Sequence, residues 1–146
     1  MDTKDFEEVS RSEYDRLIRG VGEITSLRLL SIHSERKQPN PKGTLSIKVG
    51  HNSGEKIVEE LTILVANPSF RISTVDEGGA EVFIIEASFE VKYRITALES
   101  FPEDVLAVFL STNVMINLWP YVRELVSSIS VRMGYPPLLL EPLRTV

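Results

Sequence analysis

The sequence predicts an α+β protein, in which a four-stranded antiparallel sheet is followed by a long C-terminal helical region and preceded by a short N-terminal helix. Two observations carry this prediction. Apolar and polar residues alternate from Phe83 to Ile95, which is typical of an antiparallel strand with one dry and one wet face. The strand patterns come first and the helical patterns follow, without the β-α-β alternation that a doubly wound sheet requires.

The elements are predicted to form a single domain over residues 1–146. Each segment of the chain has an expected structure: residues 1–12 flexible, 13–22 the N-terminal helix, 24–96 the sheet, 103–134 the helices and 135–146 a tail rich in Pro and Leu. Four strands are expected, over about 24–35, 44–49, 58–75 and 83–95, the third interrupted at Pro68. Glu77-Gly78-Gly79 predicts a hairpin turn before the last strand.

The longest helical pattern lies near the C-terminal end. Its apolar residues follow the spacing i, i+3, i+4, i+7, i+11: Val122, Leu125, Val126, Ile129 and Met133. Pro120 is expected in the first turn of this helix, where its missing N–H has no partner to lose. Gly134 is expected to end the helix in the left-handed conformation, and the pair Pro136-Pro137 prevents continuation.

An uncharged stretch precedes this helix. Residues 105–122 contain no charged side chain and approach the length that a membrane span requires. Polar residues such as Asn113 and Asn117 are costly in lipid, however. The stretch is therefore predicted to be a buried helix of a globular core, and no membrane insertion is expected.

Composition excludes several classes of function. The formal charge of −5 argues against a nucleic-acid partner, which normally requires a basic face. There is no cysteine, so disulfides, thiolate metal sites and a cysteine nucleophile are excluded. The acidic N-terminal segment lacks the apolar core of a secretory signal, and a cytoplasmic location is predicted.

The search for catalytic chemistry finds no motif. His33 and His51 have no ligand partner at helical spacing, whereas a metal needs three or four ligands. A nucleophile elbow, a phosphate-binding loop and a dinucleotide fingerprint after a strand are all missing. We therefore expect no metal, no cofactor and no enzymatic activity.

The aromatic and leucine residues at the C-terminal end remain to be explained. They are more than a short helix and tail can cover by themselves: Trp119, Tyr121, Tyr135, Leu138, Leu139 and Leu140. Packing in the core or between subunits is one explanation. An exposed apolar groove that takes an extended peptide is another, and the two are compatible.

These same residues carry a resemblance to a known family. Trp119-Pro120-Tyr121-Val122-Arg123-Glu124 and the later Pro136-Pro137-Leu138-Leu139-Leu140-Glu141-Pro142 resemble the helix and the tail that follow the sheet in the SecB family of export chaperones. The opening phrase of the sheet, residues 24–30, and the ending Pro-Pro-Leu-x-Leu-Glu are nearer to solitary SecB-like chaperones, some of which accompany toxin–antitoxin pairs. The match covers residues 24–142.

The resemblance implies a function and an assembly. It implies an ATP-independent chaperone that binds non-native polypeptide or one dedicated client, such as an antitoxin or an export substrate. It also implies a homo-oligomer, a dimer or a tetramer, in which first strands pair and long helices pack between sheets. Export SecB carries a further C-terminal helix and a basic tail that touches the SecA motor. This chain ends at Val146, so the resemblance gives no basis for predicting SecA contact, and a more open groove is expected.

Alternation and proximity, rather than matched motif residues, predict where a polypeptide would bind. Six residues near the crossover loop of residues 35–43 are expected to line the groove: Leu45, Ile47, Phe70, Tyr135, Leu138 and Leu140. Two other functions remain open. One is a non-catalytic adaptor that binds a folded partner through the sheet edge. The other is a small-ligand protein, which a closed polar pocket around His33 or His51 would favour.

Overall fold

In the computed structural model, residues 11–143 are described. Of the segment 1–12 that was predicted to be flexible, residues 1–10 lie outside the described part, as do the last three residues of the tail, whereas Arg11 and Ser12 belong to the first helix. The described residues contain three α-helices, which we label α1 to α3, and six strands, β1 to β6. In chain order the elements are α1 (Arg11–Gly20), β1 (Val21–Arg36), β2 (Ser46–Asn52), β3 (Lys56–Glu60), β4 (Ile63–Ala66), β5 (Ser69–Val75), β6 (Glu81–Ile95), α2 (Glu103–Ser111) and α3 (Asn113–Arg132). The six strands belong to one sheet, in which β1 pairs with β6 and the registered strand pairs are antiparallel.

The chain divides into two compact units, and the first contains residues up to 28, 53–68 and 89–115. In this unit β3 pairs with β4, and β4 pairs with the second half of β6, from Ile63↔Arg94 to Ala66↔Val91. The ring of Tyr93 on β6 meets the ring of Phe109 on α2 edge to face, with centroids 5.0 Å apart. Helix α1 is held by Leu17, which is fully buried.

The second unit contains residues 29–52, 69–88 and 116 onward, and it holds the candidate site. Strand β2 pairs with β5 along its whole length, from Ser46↔Val75 to Asn52↔Ser69. Strand β5 continues through a tight turn into β6, as the two glycines predict. The alternation of β6 is also confirmed, because its odd-numbered residues from 85 to 95 are buried.

The sheet has six strands instead of four because the third predicted strand is three strands. The chain turns at residues 61–62, so β3 folds back on β4 with Val58 opposite Leu64. The turn contains neither Gly nor Pro, and Leu61 continues the apolar alternation although it is 73% exposed. Pro68 then separates β4 from β5, as expected of a residue that cannot donate to a ladder.

The position of Pro120 differs from the prediction. Helix α3 begins at Asn113, so Pro120 lies inside the helix and not in its first turn. The preceding turns are helical because Val114, Met115 and Leu118 form a buried apolar face. Pro120 therefore lacks the N–H that would bond to the carbonyl of Ile116. Of the predicted apolar stripe, Val122 and Val126 are buried and the other three residues are half-buried, and the left-handed Gly134, with φ 90°, is confirmed.

Within residues 11–143, one helical segment, Glu103–Arg132, has the length and apolar composition to cross a membrane. Half of its most apolar window is buried in the fold. Core helices of globular proteins meet the same criterion, so this segment is weak evidence for a span.

Candidate functional site

The tail after α3 folds back along the helix that precedes it. The Leu138 amide donates a hydrogen bond to Ser130 Oγ (2.9 Å). Arg123 Nε donates to the carbonyl oxygen of Leu140 (2.7 Å), and Trp119 Nε1 donates to the carbonyl oxygen of Glu141 (2.7 Å). Later residues of the tail thus contact earlier turns of the helix, and tail and helix run in opposite directions.

The local sequence explains this path. At 100° per residue, the helix positions of Trp119, Arg123 and Ser130 lie within about 40° of one another. Gly134 reverses the chain at φ 90°, a conformation that favours glycine. Pro136-Pro137 has fixed φ angles and no amide donors, which keeps the start of the tail extended. The three polar side chains therefore bind the tail through its backbone.

Strand β2 carries apolar side chains that the other described residues leave partly exposed. Ile47 and Val49 are opposite Thr74 and Ile72 of β5, so all four belong to the dry face of the sheet. Thr74 and Ile72 are at most 1% exposed, whereas Ile47 and Val49 are 41% and 43% exposed. The dry face thus continues onto β2, where residues 11–143 cover it only in part.

A groove lies between β2 and the tail, and we call it the tail groove. Its volume is about 580 Å³. The lining residues come from β2 and the residue before it, from Trp119 in the second turn of α3 and from the tail: Leu45, Ile47, Val49, His51, Trp119, Leu139, Leu140, Glu141, Pro142 and Leu143. The Phe70 ring, whose centroid is 6.1 Å from that of Trp119, supports the indole from β5. The tail groove can accept apolar side chains of an extended chain.

Three of the six predicted binding residues line the tail groove: Leu45, Ile47 and Leu140. Leu140 is itself buried, at 4% exposure. Phe70 is buried and contacts Trp119, which lines the groove. That any of the six residues binds a ligand stays a prediction.

The other two predicted residues, Tyr135 and Leu138, have different surroundings. The Tyr135 ring stacks on Phe83 at 4.8 Å, and its hydroxyl donates to the carbonyl oxygen of Gln38 (2.7 Å). Leu138 is half-buried and held through its amide. Neither lines the tail groove as it stands in this structure.

A second cavity brings His33 and His51 together. It measures about 490 Å³ and is lined by residues of β1, β2, β5 and β6, most of which have polar side chains. Both histidines are exposed, so this is not the closed pocket that a small-ligand function predicts. Residues 11–143 contain no group of three or more His, Cys, Asp or Glu that could hold a metal ion.

The wet face of β6 is occupied by paired side chains. Each even-numbered residue from 86 to 94 has a side-chain partner on another strand of the sheet: Glu86–Arg71, Ser88–Ser31, Glu90–Arg28, Lys92–Glu59 and Arg94–Glu23. Because these groups satisfy one another, the wet face of β6 offers less to a ligand than the tail groove does.

Sequence reasoning missed the role of Trp119 and Arg123 in holding the tail. The signal is present in the sequence, because Trp119, Arg123 and Ser130 fall on one side of a helix beside its apolar stripe. The helical spacing does not show in which direction the chain runs after Gly134.

The fold is that of SecB-like chaperones. The structure of the Mycobacterium tuberculosis Rv1957 SecB-like chaperone, solved in complex with a ChAD peptide from the Rv1956 HigA1 antitoxin, superposes with a TM-score of 0.79. The two chains are 20% identical, and the match covers 92% of this chain and 99% of that one. The model of the family described as preprotein translocase subunit SecB matches residues 28–144. The chain therefore belongs to the SecB family.

Curated relatives agree with this assignment. The protein-export protein SecB of Thiobacillus denitrificans is 26% identical over 77% of this chain and 66% of its own length. That of Desulfotalea psychrophila is 32% identical over 47% of this chain and 42% of its own length. That of Afipia carboxidovorans is 28% identical over 77% and 63%. This chain thus spans less than two thirds of the length of these relatives.

Proposed function

We propose that this protein is an ATP-independent, non-catalytic chaperone that holds non-native or extended polypeptides in the tail groove. The uncovered dry face of β2 carries this proposal, because Ile47 and Val49 are apolar, exposed and backed by a buried strand. A soluble domain rarely leaves such a face open unless something binds there.

A single groove is expected to bind a client polypeptide weakly, whereas several grooves on one oligomer are expected to bind it firmly. Each large apolar side chain that a client buries contributes roughly 1.5–3 kcal/mol. Three such anchors give about 5–9 kcal/mol, against an association cost of about 4 kcal/mol or more. Several grooves on one oligomer raise the effective concentration of the second contact. ATP is not required for this mode of binding.

A homo-oligomer, a dimer or a tetramer, is part of the proposal. The second half of β1 supports it, because Leu29, Leu30 and Ile32 are 40–50% exposed. Leu29 and Leu30 are neighbours in a strand and point to opposite faces. Another subunit that pairs with or packs on β1 would cover both.

The proteins that this chain is similar to suggest the class of client. The M. tuberculosis SecB-like chaperone was solved with an antitoxin peptide, and the curated relatives are export proteins. A dedicated antitoxin or a set of export substrates therefore fits this chain, and either places the protein in the cytoplasm.

An aggregation assay tests the proposal. The purified protein, at one oligomer per client, should suppress light scattering by a thermally denatured model enzyme without ATP. Its mass in solution should rise when a permanently unfolded polypeptide is added. Unchanged scattering together with unchanged mass would contradict the proposed function.

A further inference from the structure

Asp76 is a buried carboxylate at the turn between β5 and β6, where four donors converge on it. Its side chain belongs to a residue that is only 5% exposed. Oδ1 accepts from the amides of Gly78 (2.9 Å) and Ala80 (3.1 Å), both within the turn. Oδ2 accepts from outside the turn, from Gln38 Nε2 (2.5 Å) and the Lys42 amide (3.2 Å). One oxygen therefore builds the hairpin, and the other holds the crossover loop.

Glu77, next to Asp76, also holds the end of the crossover loop. Both backbone polar groups of Lys42 are hydrogen-bonded: its amide donates to Asp76, and its carbonyl oxygen accepts from the Glu77 amide (3.1 Å). The Thr44 amide donates to Glu77 Oε1 (3.1 Å). Gly43 lies between them at φ 72°, and a Cβ there would be 2.3 Å from the Glu77 carboxyl group. These contacts fix the backbone of residues 42–44 against the hairpin.

Leu45 depends on that path. It lines the tail groove, and it comes three residues after Lys42. The ladder between β2 and β5 begins only at Ser46, opposite Val75, so the registered pairing does not reach Leu45. The direction in which Leu45 enters the strand is therefore set by the residues that Asp76 and Glu77 hold.

We propose that Asp76 is a positioning residue for polypeptide binding: through Oδ2 it fixes Lys42, and thereby places Leu45 in the wall of the tail groove. The inference rests on the proposed function, since it assigns Asp76 to the binding of extended, apolar polypeptide. Asp76 does not touch the polypeptide. An asparagine at this position has one acceptor oxygen and cannot serve both the turn and the loop.

Calorimetric titration of the full-length protein with reduced, carboxymethylated α-lactalbumin tests the inference. Asp76→Asn should weaken binding roughly tenfold, because hydrogen bonds to a charged acceptor are lost. Asp15→Asn, the same change on the exposed side of α1, should bind as the wild type does. In a Leu45→Ser background, Asp76→Asn should cause no further loss, because the side chain that it positions is already gone.

The possible results of the titrations separate the role of Asp76 from the proposed function. Wild-type affinity in Asp76→Asn, or losses that add fully in the double variant, would overturn the inference while leaving the proposed function standing. A wild-type protein that does not bind the probe would overturn both. If Asp76→Asn does not fold, Gln38→Met removes only the side-chain donor to Oδ2. It should weaken binding about threefold with the same non-additivity, and wild-type affinity in that variant would count against the inference.

Discussion

The indole nitrogen of Trp119 lies 2.7 Å from the carbonyl oxygen of Glu141, and this hydrogen bond joins the two sequence segments that carry the family resemblance. Four residues further along α3, Arg123 makes the equivalent bond to Leu140. The helix motif and the tail motif are thus two sides of one contact. Both bonds use backbone acceptors, so the geometry constrains the helix residues more than the tail side chains.

Loss of the Arg123 bond should loosen the tail. Arg123→Met keeps the aliphatic part of the side chain and removes the donor to Leu140, so we expect a destabilisation of about 1 kcal/mol. The backbone amides of residues 138–141 and of Leu143 should exchange hydrogen faster. Arg132→Met, the same change at an exposed position of α3, serves as the control. Equal exchange rates in the two variants would show that Arg123 does not hold the tail.

Neighbouring leucines of the tail should differ sharply in their effect on stability. Leu140 is 4% exposed and Leu139 is 75% exposed. Leu140→Ala should lower the free energy of unfolding by about 2–5 kcal/mol, because it leaves a cavity. Leu139→Ala should change it by less than about 0.5 kcal/mol. Urea denaturation measures both, and similar midpoints would mean that the tail does not pack as described.

Ile47 should contribute to client binding without contributing much to folding. Ile47→Ser removes an apolar side chain from the tail groove, and affinity for an unfolded polypeptide should fall roughly three- to tenfold. Ile57→Ser changes an exposed isoleucine on β3, in the other unit, and provides a matched control. Calorimetric titration compares them, with circular dichroism to verify folding. Equal affinities in the two variants would place the binding surface elsewhere.

Acid should weaken the contribution of Asp76. Hydrogen bonds, led by the one from the Lys42 amide, hold the pKa of Asp76 below its ordinary value of 3.8, although burial acts in the opposite direction. A carboxyl whose pKa is lower in the folded state stabilises that state above its unfolded pKa. This contribution is lost as the pH falls through the folded pKa. The thermal midpoints of the wild type and Asp76→Asn should therefore converge below about pH 3.8. A difference between the two thermal midpoints that stays constant from neutral to strongly acid pH would contradict this. Because Glu77 is present in both proteins, its own titration does not affect the comparison.

The strand pattern was predictable where burial follows the local period. From residue 85 to 95 the alternation of β6 matches the buried positions, since one face is dry and the other is paired. The break at residues 61–62 was not predictable, because Leu61 keeps the apolar parity through a turn without Gly or Pro. The interior position of Pro120 was missed for a related reason: tertiary packing of Leu118 and its neighbours outweighs the helix-breaking tendency of proline.

The candidate site was partly predictable. Alternation placed Leu45 and Ile47 on one face of a strand, and the structure brings Leu140 to the same groove. Tyr135 was expected beside them because it is aromatic and close in sequence to the tail. Its ring is instead buried against Phe83, a contact that depends on where the hairpin lies. Sequence spacing shows which residues share a face but not which faces meet.

The paired side chains on the wet face of β6 have a consequence for strand alignment. A slip of β6 by one residue against the rest of the sheet would separate Glu86 from Arg71 and turn the buried Ile85 from the dry face toward water. Each isolated exposed ion pair contributes little to the free energy of unfolding. The four ion pairs and the Ser88–Ser31 hydrogen bond would nevertheless all be broken by this slip, so together they oppose it. The paired polar side chains thus help to fix the register that places the apolar side chains on the dry face. A variant with several pairs neutralised should populate misaligned sheets before it loses secondary structure.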